Sequence, residues 1–367
     1  MLLVSSFVLP NAGGVEQFVG AVGALLEEHG CAVRVLACRL PGGDTSADAS
    51  VATWYLGRSR WPLPVGGLGT IWREVGRADA VIANVPLYPL PSLAILAARR
   101  RRVPGLFVAH GSGEPDRWPG GPVARLVRAL VRGTLARPAV RRSLPVSVSV
   151  AGLEGLERLY GVSGRFLPYP LPELPPAGPR PGPELGEPLR VAWIGRLARE
   201  KDPMTAVQAL DRLRADVPAT LDVYGDGPLR ARMEALTDAR PWMTLHGSRP
   251  WPEILAAQEQ AHVCLATSVW DNVMVSVLEA LARGVPVVST RVGDAPSYFE
   301  PPELAGCCVE PGDAAALAGA LRAVACDYDA LRAAFALNGA RLRAVHRDAS
   351  NVLIALIDEA RARRDAR

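Results

Sequence analysis

Lysine is almost absent from this chain. Of its 41 basic residues only Lys201 is lysine, and the others are arginine. A compact, strongly hydrated ammonium and a flat five-donor fork do different work, so the one site where arginine did not take over is informative. Closely spaced cysteine pairs are missing as well. Cys31, Cys38, Cys264, Cys307, Cys308 and Cys326 form no CxxC pattern, which argues against a structural zinc site and for buried thiols in a reducing compartment. A large charge excess is missing: the formal net charge of +4 gives no reason to expect nucleic acid as a partner. The longest uncharged stretch, Ala80 to Ala98, holds Asn84, Pro86, Pro89 and Pro91, which suits a strand, a turn and a short helix rather than a membrane span. The N-terminus, Met1 to Ser6, carries no basic n-region, so a signal peptide is not expected and a cytoplasmic location is.

What is present is an alternation of short apolar runs with helical patterns. Met1–Val8 reads as a strand, Gly14–Glu28 as a helix and Ala32–Cys38 as a second strand. Ala80–Ala83, Gly105–Ala109 and Pro145–Val150 follow as further strands, with a helix over Leu93–Arg101. Such alternation implies a parallel sheet covered on both faces. Nine prolines then fall between Pro168 and Pro188, a density that reads as an extended linker. Beyond it the alternation restarts, with strands over Leu189–Ile194, Thr220–Tyr224, Val263–Ala266 and Pro286–Ser289, and helices over Pro203–Leu213 and Val273–Arg283. The expected organisation is an N-terminal α/β domain (1–167), a linker (168–188), a second α/β domain (189–345) and a C-terminal helical segment (346–367). Two doubly wound sheets place ligands at their C-terminal strand edges.

Lys201 sits in such a place, in Gly195-Arg196-Leu197-Ala198-Arg199-Glu200-Lys201-Asp202, between an apolar run and a helical pattern. Arg196 can grip two oxygens of a diphosphate and Lys201 supplies a movable point charge. As plain surface cations they would stand at the unfavourable end of a helix. Asp271 and Glu279 form an acidic pair eight residues apart. Asp271 reads as the residue at the helix mouth, ahead of the backbone N–H groups of Asn272, Val273 and Met274, which would face a diphosphate. The alternative for Asp271 is a simple N-cap. Glu279 lies in apolar surroundings, Val277 to Leu281, and a carboxylate there needs a partner. In the first half, Gly14 closes the Gly13-Gly14 pair after the first strand, and His110 directly follows the strand Gly105–Ala109. Gly225-Asp226-Gly227-Pro228 reads as a turn lining the ligand site. Asp222 and Asp226 do not make a metal site, because Asp222 lies inside a strand. His246 ends another strand and could meet a nucleobase through its backbone. Arg125–Arg142 reads as a basic amphipathic helix: an ordinary solvated surface helix, the commoner case, or one resting on an anionic membrane surface.

Taken together these segments resemble the retaining GT-B glycosyltransferases of glycosyltransferase family 4. The resemblance follows family order along nearly the whole chain: the glycine pair, the strand-end histidine, the Gly-Arg-Leu…Glu-Lys segment, Gly-x-Gly-Pro, the spaced acidic pair, and Gly284-Val285-Pro286-Val287-Val288-Ser289-Thr290 followed by Val292-Gly293. It implies two Rossmann-like domains facing a central cleft, a nucleoside diphosphate sugar (most often a UDP-sugar) as donor, transfer of a hexose to an acceptor hydroxyl with retention, and no metal or other cofactor. Carried over, Arg196 and Lys201 neutralise the leaving diphosphate, Glu279 holds the ribose, Asp271 touches the donor sugar, and His110 and Gly14 approach sugar and phosphate. Gly225, Asn272, Val273 and Met274 join the donor site.

The chain departs from the pattern where the donor sugar would lie: Asp271 replaces a glutamate, and Asn272-Val273-Met274 replaces a Gly-Phe-Gly-like run. A donor-binding protein without transfer, or a GT-B epimerase or phosphorylase, are the competing readings, since architecture alone does not separate them.

Overall fold

The computed structural model describes the chain except residues 7–13, 40–46, 52, 57–60, 65–66, 86–87, 112–121, 172–173, 175–177, 179–181, 185 and 367; the side chains of 53–56, 61–64 and 124 also lie outside the description. The chain divides into two compact units, Met1–Pro172 with His346–Arg367, and Glu173–Val345. The division falls inside the proline-rich segment, whose described residues form no helix or strand.

The first unit is built on seven strands: β1 (Leu2–Ser5), β2 (Arg34–Cys38), β3 (Ala49–Val51), then, after a separate antiparallel pair β4 (Thr53–Leu56) and β5 (Trp61–Pro64), β6 (Val81–Asn84), β7 (Gly105–Ala109), β8 (Leu144–Ser147) and β9 (Arg165–Phe166). They are ordered β3-β2-β1-β6-β7-β8-β9 and every pairing in this sheet is parallel. Both faces are covered, which is why its inner strands are unbroken apolar runs rather than alternating ones. The helix Gly14–Glu28 buries Phe18, Val19, Val22 and Leu26, one stripe at helical spacing. The C-terminal helix Ala349–Asp365 buries Leu353, Leu356, Ile357 and Ala360 and packs on β7 and β8 of this unit.

The second unit has six strands, β10 (Leu189–Ile194), β11 (Ala219–Tyr224), β12 (Met243–Gly247), β13 (Val263–Ala266), β14 (Val287–Thr290) and β15 (Cys308–Val309), ordered β12-β11-β10-β13-β14-β15 and all parallel. In both sheets the order reverses beside the first strand, so the loops leaving the two strands there diverge and open a crevice. In the second unit those are the loops after β10 and β13.

Backbone bonds tie these strand ends together. Gly195 N–H donates to the Tyr224 carbonyl at 3.0 Å, Leu197 N–H to that of Asp226 at 2.9 Å, and Gly225 N–H to that of Gly247 at 2.8 Å. The approach is close enough to demand glycine. A Cβ on Gly225, whose φ is +137°, would lie 1.9 Å from the Gly195 oxygen.

Several expected bounds shift: the helix read over Leu93–Arg101 spans Pro89–Arg100, the strand read over Pro145–Val150 is Leu144–Ser147, and the strand read over Ala32–Cys38 starts at Arg34. Two further elements differ in ways that matter more. The helix read over Val273–Arg283 begins only at Val275 and ends at Ala282. The basic stretch is three pieces: a helix over Pro122–Val131, a π-helical turn over Arg132–Ala136 and a helix over Arg137–Arg142. Its expected polarity is reversed in the first piece. Val123, Leu126 and Leu130 are 74%, 61% and 56% exposed, whereas Arg128 is buried. The π-turn inserts one residue, marked by the Arg137 N–H bonding to the Arg132 carbonyl, and so turns the face by about 100°. Ala136, Ala139 and Val140 face the core, and the apolar stripe before the turn is left pointing elsewhere.

Replacing Gly225 with alanine should cost about 2–4 kcal/mol, because the new methyl meets a backbone oxygen and the φ is strained. Urea unfolding measures this; an unchanged midpoint would show that the turn can move away.

Candidate functional site

The site is assembled from the loops after β10 and β13. Thr267, just past β13, is their junction. Its Oγ1 accepts the Trp193 indole N–H at 3.0 Å and lies 3.0 Å and 2.7 Å from the carbonyls of Lys201 and Asp202, to one of which it donates. Val269 N–H donates to the Glu200 carbonyl at 2.9 Å. Asp202 then caps the helix Pro203–Leu213: its Oδ1 accepts the Thr205 N–H at 3.3 Å, and it holds φ +44° to do so. The lysine backbone is therefore pinned on both sides, and only its side chain is left to swing.

That side chain forms an ion pair with Asp271, 70 positions later. The two are partly buried, with 28% and 15% of their side chains exposed, so the charges are little screened and their mutual attraction counts. Asp271 Oδ1 also accepts the Asn272 N–H at 2.9 Å. The backbone of Asp271 and Asn272 rests on Gly293, where a Cβ would come within 2.3 Å of the Asn272 oxygen, and the Asp294 N–H donates to that oxygen at 3.0 Å. The Val292-Gly293 pair thus shapes the Asp271 loop from below. Arg196, on the same loop as Lys201, is mostly exposed and pairs with Glu200 one turn on.

The structure corrects the reading of Asn272, Val273 and Met274 as helix N-terminal amides. The helix starts after Met274, and the Asn272 N–H is taken by Asp271. The rotation argument that linked Asp271 to Glu279 along one helix also fails, because Asp271 precedes the helix; neither is Asp271 an N-cap, a position Met274 holds. What brings Asp271 to the site is its loop and its bond to Lys201.

Glu279 lies on the buried face of the helix Val275–Ala282, 5% exposed. The partner its surroundings required is Trp251, whose indole N–H donates to Oε1 at 2.9 Å. Burial pushes the carboxyl pKa above its ordinary value, opposed by the indole bond and by the positive charge of Arg283. Gly225 supports the site as backbone, holding the turn after β11 against the Gly195–Leu197 segment.

His246 lies within β12. It stacks on Tyr224 with centroids 4.4 Å apart, and its Nε2 is 2.7 Å from Asp222 Oδ1.

In the first unit His110 follows β7. Its Nε2–H donates to Asn84 Oδ1 at 3.0 Å, and its ring meets the edge of Phe18 at 4.6 Å. Desolvation lowers its pKa to about 3, so the imidazole is neutral near physiological pH with Nδ1 free to accept. Gly14 opens its helix, and its carbonyl accepts the Tyr169 hydroxyl at 3.0 Å. The rest of the Pro10–Gly13 turn, and Ser112-Gly113, lie outside the described residues. Among the described residues no group of three or more His, Cys, Asp or Glu side chains could hold a metal ion.

Sequence reading missed Thr267, Trp193, Trp251 and Asn84. The tryptophans offered one signal: an indole N–H in an apolar segment needs an acceptor.

Two families match the chain in succession. Glycosyltransferase Family 4 matches residues 12–168 and Glycosyl transferases group 1 matches residues 188–327. The GDP-mannose-dependent alpha-(1-6)-phosphatidylinositol monomannoside mannosyltransferase of Mycobacterium tuberculosis is 30% identical over 323 residues, 82% of each chain. The 2-deoxystreptamine glucosyltransferase of Streptomyces kanamyceticus is 36% identical over 152 residues, which span 39% of this chain and only 37% of that relative. Among solved structures, sucrose-phosphate synthase from Thermosynechococcus elongatus aligns with a TM-score of 0.73 at 19% identity, covering 98% of both chains. The chain belongs to this glycosyltransferase family, whose two Rossmann-like α/β units are the GT-B fold.

Glu279 also yields a pH prediction. A carboxyl whose folded-state pKa is raised favours folding while protonated; that contribution is present below the ordinary value and is lost as pH rises through the folded value. Glu279→Gln keeps an acceptor for Trp251 without a charge. Its stability relative to the native protein should therefore increase as pH rises above the ordinary glutamate range of about pH 4. Thermal melts over that rise decide it; a constant difference would mean the carboxyl is not desolvated.

Proposed function

We propose that the chain is a retaining hexosyltransferase that uses a nucleoside diphosphate sugar, preferentially a UDP-sugar, and passes the hexose to an acceptor hydroxyl. The observation that carries this is the Lys201–Asp271 pair at the crevice where the strand order of the second unit reverses, with Arg196 on the same loop. In this reading the bond from the anomeric carbon to the β-phosphate oxygen breaks and its electron pair stays on the diphosphate. The acceptor oxygen bonds to the anomeric carbon, and its proton goes to the diphosphate. Negative charge grows on the leaving group, so cations held close to it lower the barrier. Arg196 and Lys201 supply them without a metal ion. Asp271, paired with Lys201 before the donor arrives, aims the ammonium and can accept a hydroxyl of the donor sugar. Glu279 holds the ribose diol, the amides of Val273 and Met274 meet the phosphates, and Gly225 keeps the turn after β11 close to the Gly195 backbone. In the first unit neutral His110 and the Gly14 turn offer hydrogen bonds to sugar and phosphate oxygens. Anabaena HepE, a structural neighbour at 16% identity with a TM-score of 0.67, was crystallised with UDP-glucose.

The donor is tested by incubating the protein with UDP-, GDP- and dTDP-sugars and following free nucleotide, with and without acceptors. Lys201→Ala should lower turnover by roughly two to three orders of magnitude while the protein stays folded at the assay temperature. Turnover unchanged in that variant removes Lys201 from the mechanism. Nucleotide binding with no release from any donor would instead favour a binding protein without transfer.

A peripheral membrane contact, at the cytoplasmic face if the protein is cytoplasmic, is proposed on the exposed Val123, Leu126 and Leu130 stripe, which arginines flank. No helix of the described residues is long and apolar enough to cross a membrane. Leu126→Ser with Leu130→Ser should abolish sedimentation with phosphatidylglycerol vesicles and leave folding intact. Equal sedimentation of variant and native protein would exclude this stripe.

A further inference from the structure

The edge of the first sheet opposite His110 carries a cavity of about 810 Å³. It is lined by Val103 and Pro104 before β7, by Gly105 at its start, and by Ser143 and Leu144 at the entry to β8. With five residues in β7, the two edges stand about 16 Å apart. Three helical segments end at this cavity: Pro89–Arg100, Arg137–Arg142 and Ala349–Asp365. They bring Arg99, Arg100, Arg102, Arg142, Arg363 and Arg364 to its wall, and among the described residues Asp365 is the one acid that lines it.

Cations are favoured at helix C-termini, and this is the ordinary explanation for such arginines. It is too small for the number present. Three helix ends carry about −0.5 each, so with Asp365 and the Glu359 carboxylate that pairs with Arg363 they offset roughly three and a half of the six charges, and an excess of about two and a half is left. The hydrogen bonds agree. Arg363 is paired with Glu359 at 2.9 Å, Arg364 with Asp365 at 2.6 Å, and Arg142 donates to the Pro138 carbonyl at 3.3 Å. Arg99, Arg100 and Arg102 have no side-chain partner among the described residues. Arg102 moreover sits at φ +56°, a left-handed conformation that costs an arginine and would cost a glycine nothing.

The structure assigns to this cavity a binding site for a phosphate-rich polyanion, separate from the donor site of the second unit. Its volume lies in the range of small-molecule sites, and converging guanidinium forks match phosphate oxygens two at a time. The shared chemistry is a cluster of phosphates, whether on a soluble ester or on a lipid headgroup.

The test is calorimetric titration of the full chain with inorganic tripolyphosphate. The double variant Arg99→Gln, Arg102→Gly should weaken binding about tenfold or more. Arg102→Gly alone should raise the melting temperature while weakening binding, a combination that damage to the fold does not produce. Lys201→Ala should leave the titration at this site intact, which separates the inference from the transfer reaction. Arg125→Gln with Arg132→Gln, outside the cavity, should have no effect. Equal affinity in native protein and double variant overturns the proposal, as does an equal loss in the outside variant or in Lys201→Ala. Sedimentation with phosphatidylcholine vesicles doped with phosphatidylinositol bisphosphate, against phosphatidylcholine alone, then identifies the source. A headgroup site loses the phosphoinositide-dependent binding in the double variant, and with a soluble-ester site native protein and double variant sediment equally.

Discussion

One charge pair gives the second unit its chemical character. Lys201 and Asp271 come from loops that diverge because the strand order reverses between β10 and β13. A parallel sheet leaves that opening wherever its winding changes direction. Most of the surrounding architecture serves to hold the two residues there. Thr267 fastens the lysine backbone, Asp202 caps the following helix, and Gly293 lets the aspartate loop lie flat. A lone half-buried ammonium would be costly; opposite an aspartate it can remain charged at the site.

Legibility in the sequence followed the range of the forces involved. The helices Gly14–Glu28 and Pro203–Leu213 were read to the residue, because their punctuation is local: glycines before one, an aspartate and a proline at the start of the other. The alternation of apolar runs and helices indicated two wound sheets, and both are present. Lys201 and Asp271 could each be singled out from composition and position, but their bond could not, since it spans 70 residues. The helix was read from Val273 but starts at Val275. The preceding Asp271 and Asn272 are held by the Gly293-Asp294 backbone, a contact remote in sequence that no local pattern shows. The inverted face of Pro122–Val131 was hidden for a similar reason. A single inserted residue in the π-turn resets the angle, and no local pattern announces it.

The first unit shows how arginine is distributed when lysine is nearly unused. At one edge of its sheet stands a neutral, desolvated imidazole bonded to an asparagine amide oxygen. At the other edge the helix ends gather guanidinium groups in excess of what their dipoles require. The two edges of one sheet thus offer opposite chemistry, uncharged hydrogen bonding and dense positive charge.

The turn at Gly225 has a consequence for how such a protein diversifies. There the peptide chain of one loop lies directly on that of another, with no side chain between them. Inherited variation has nothing to act on at that point, because every replacement begins by adding an atom where there is no room.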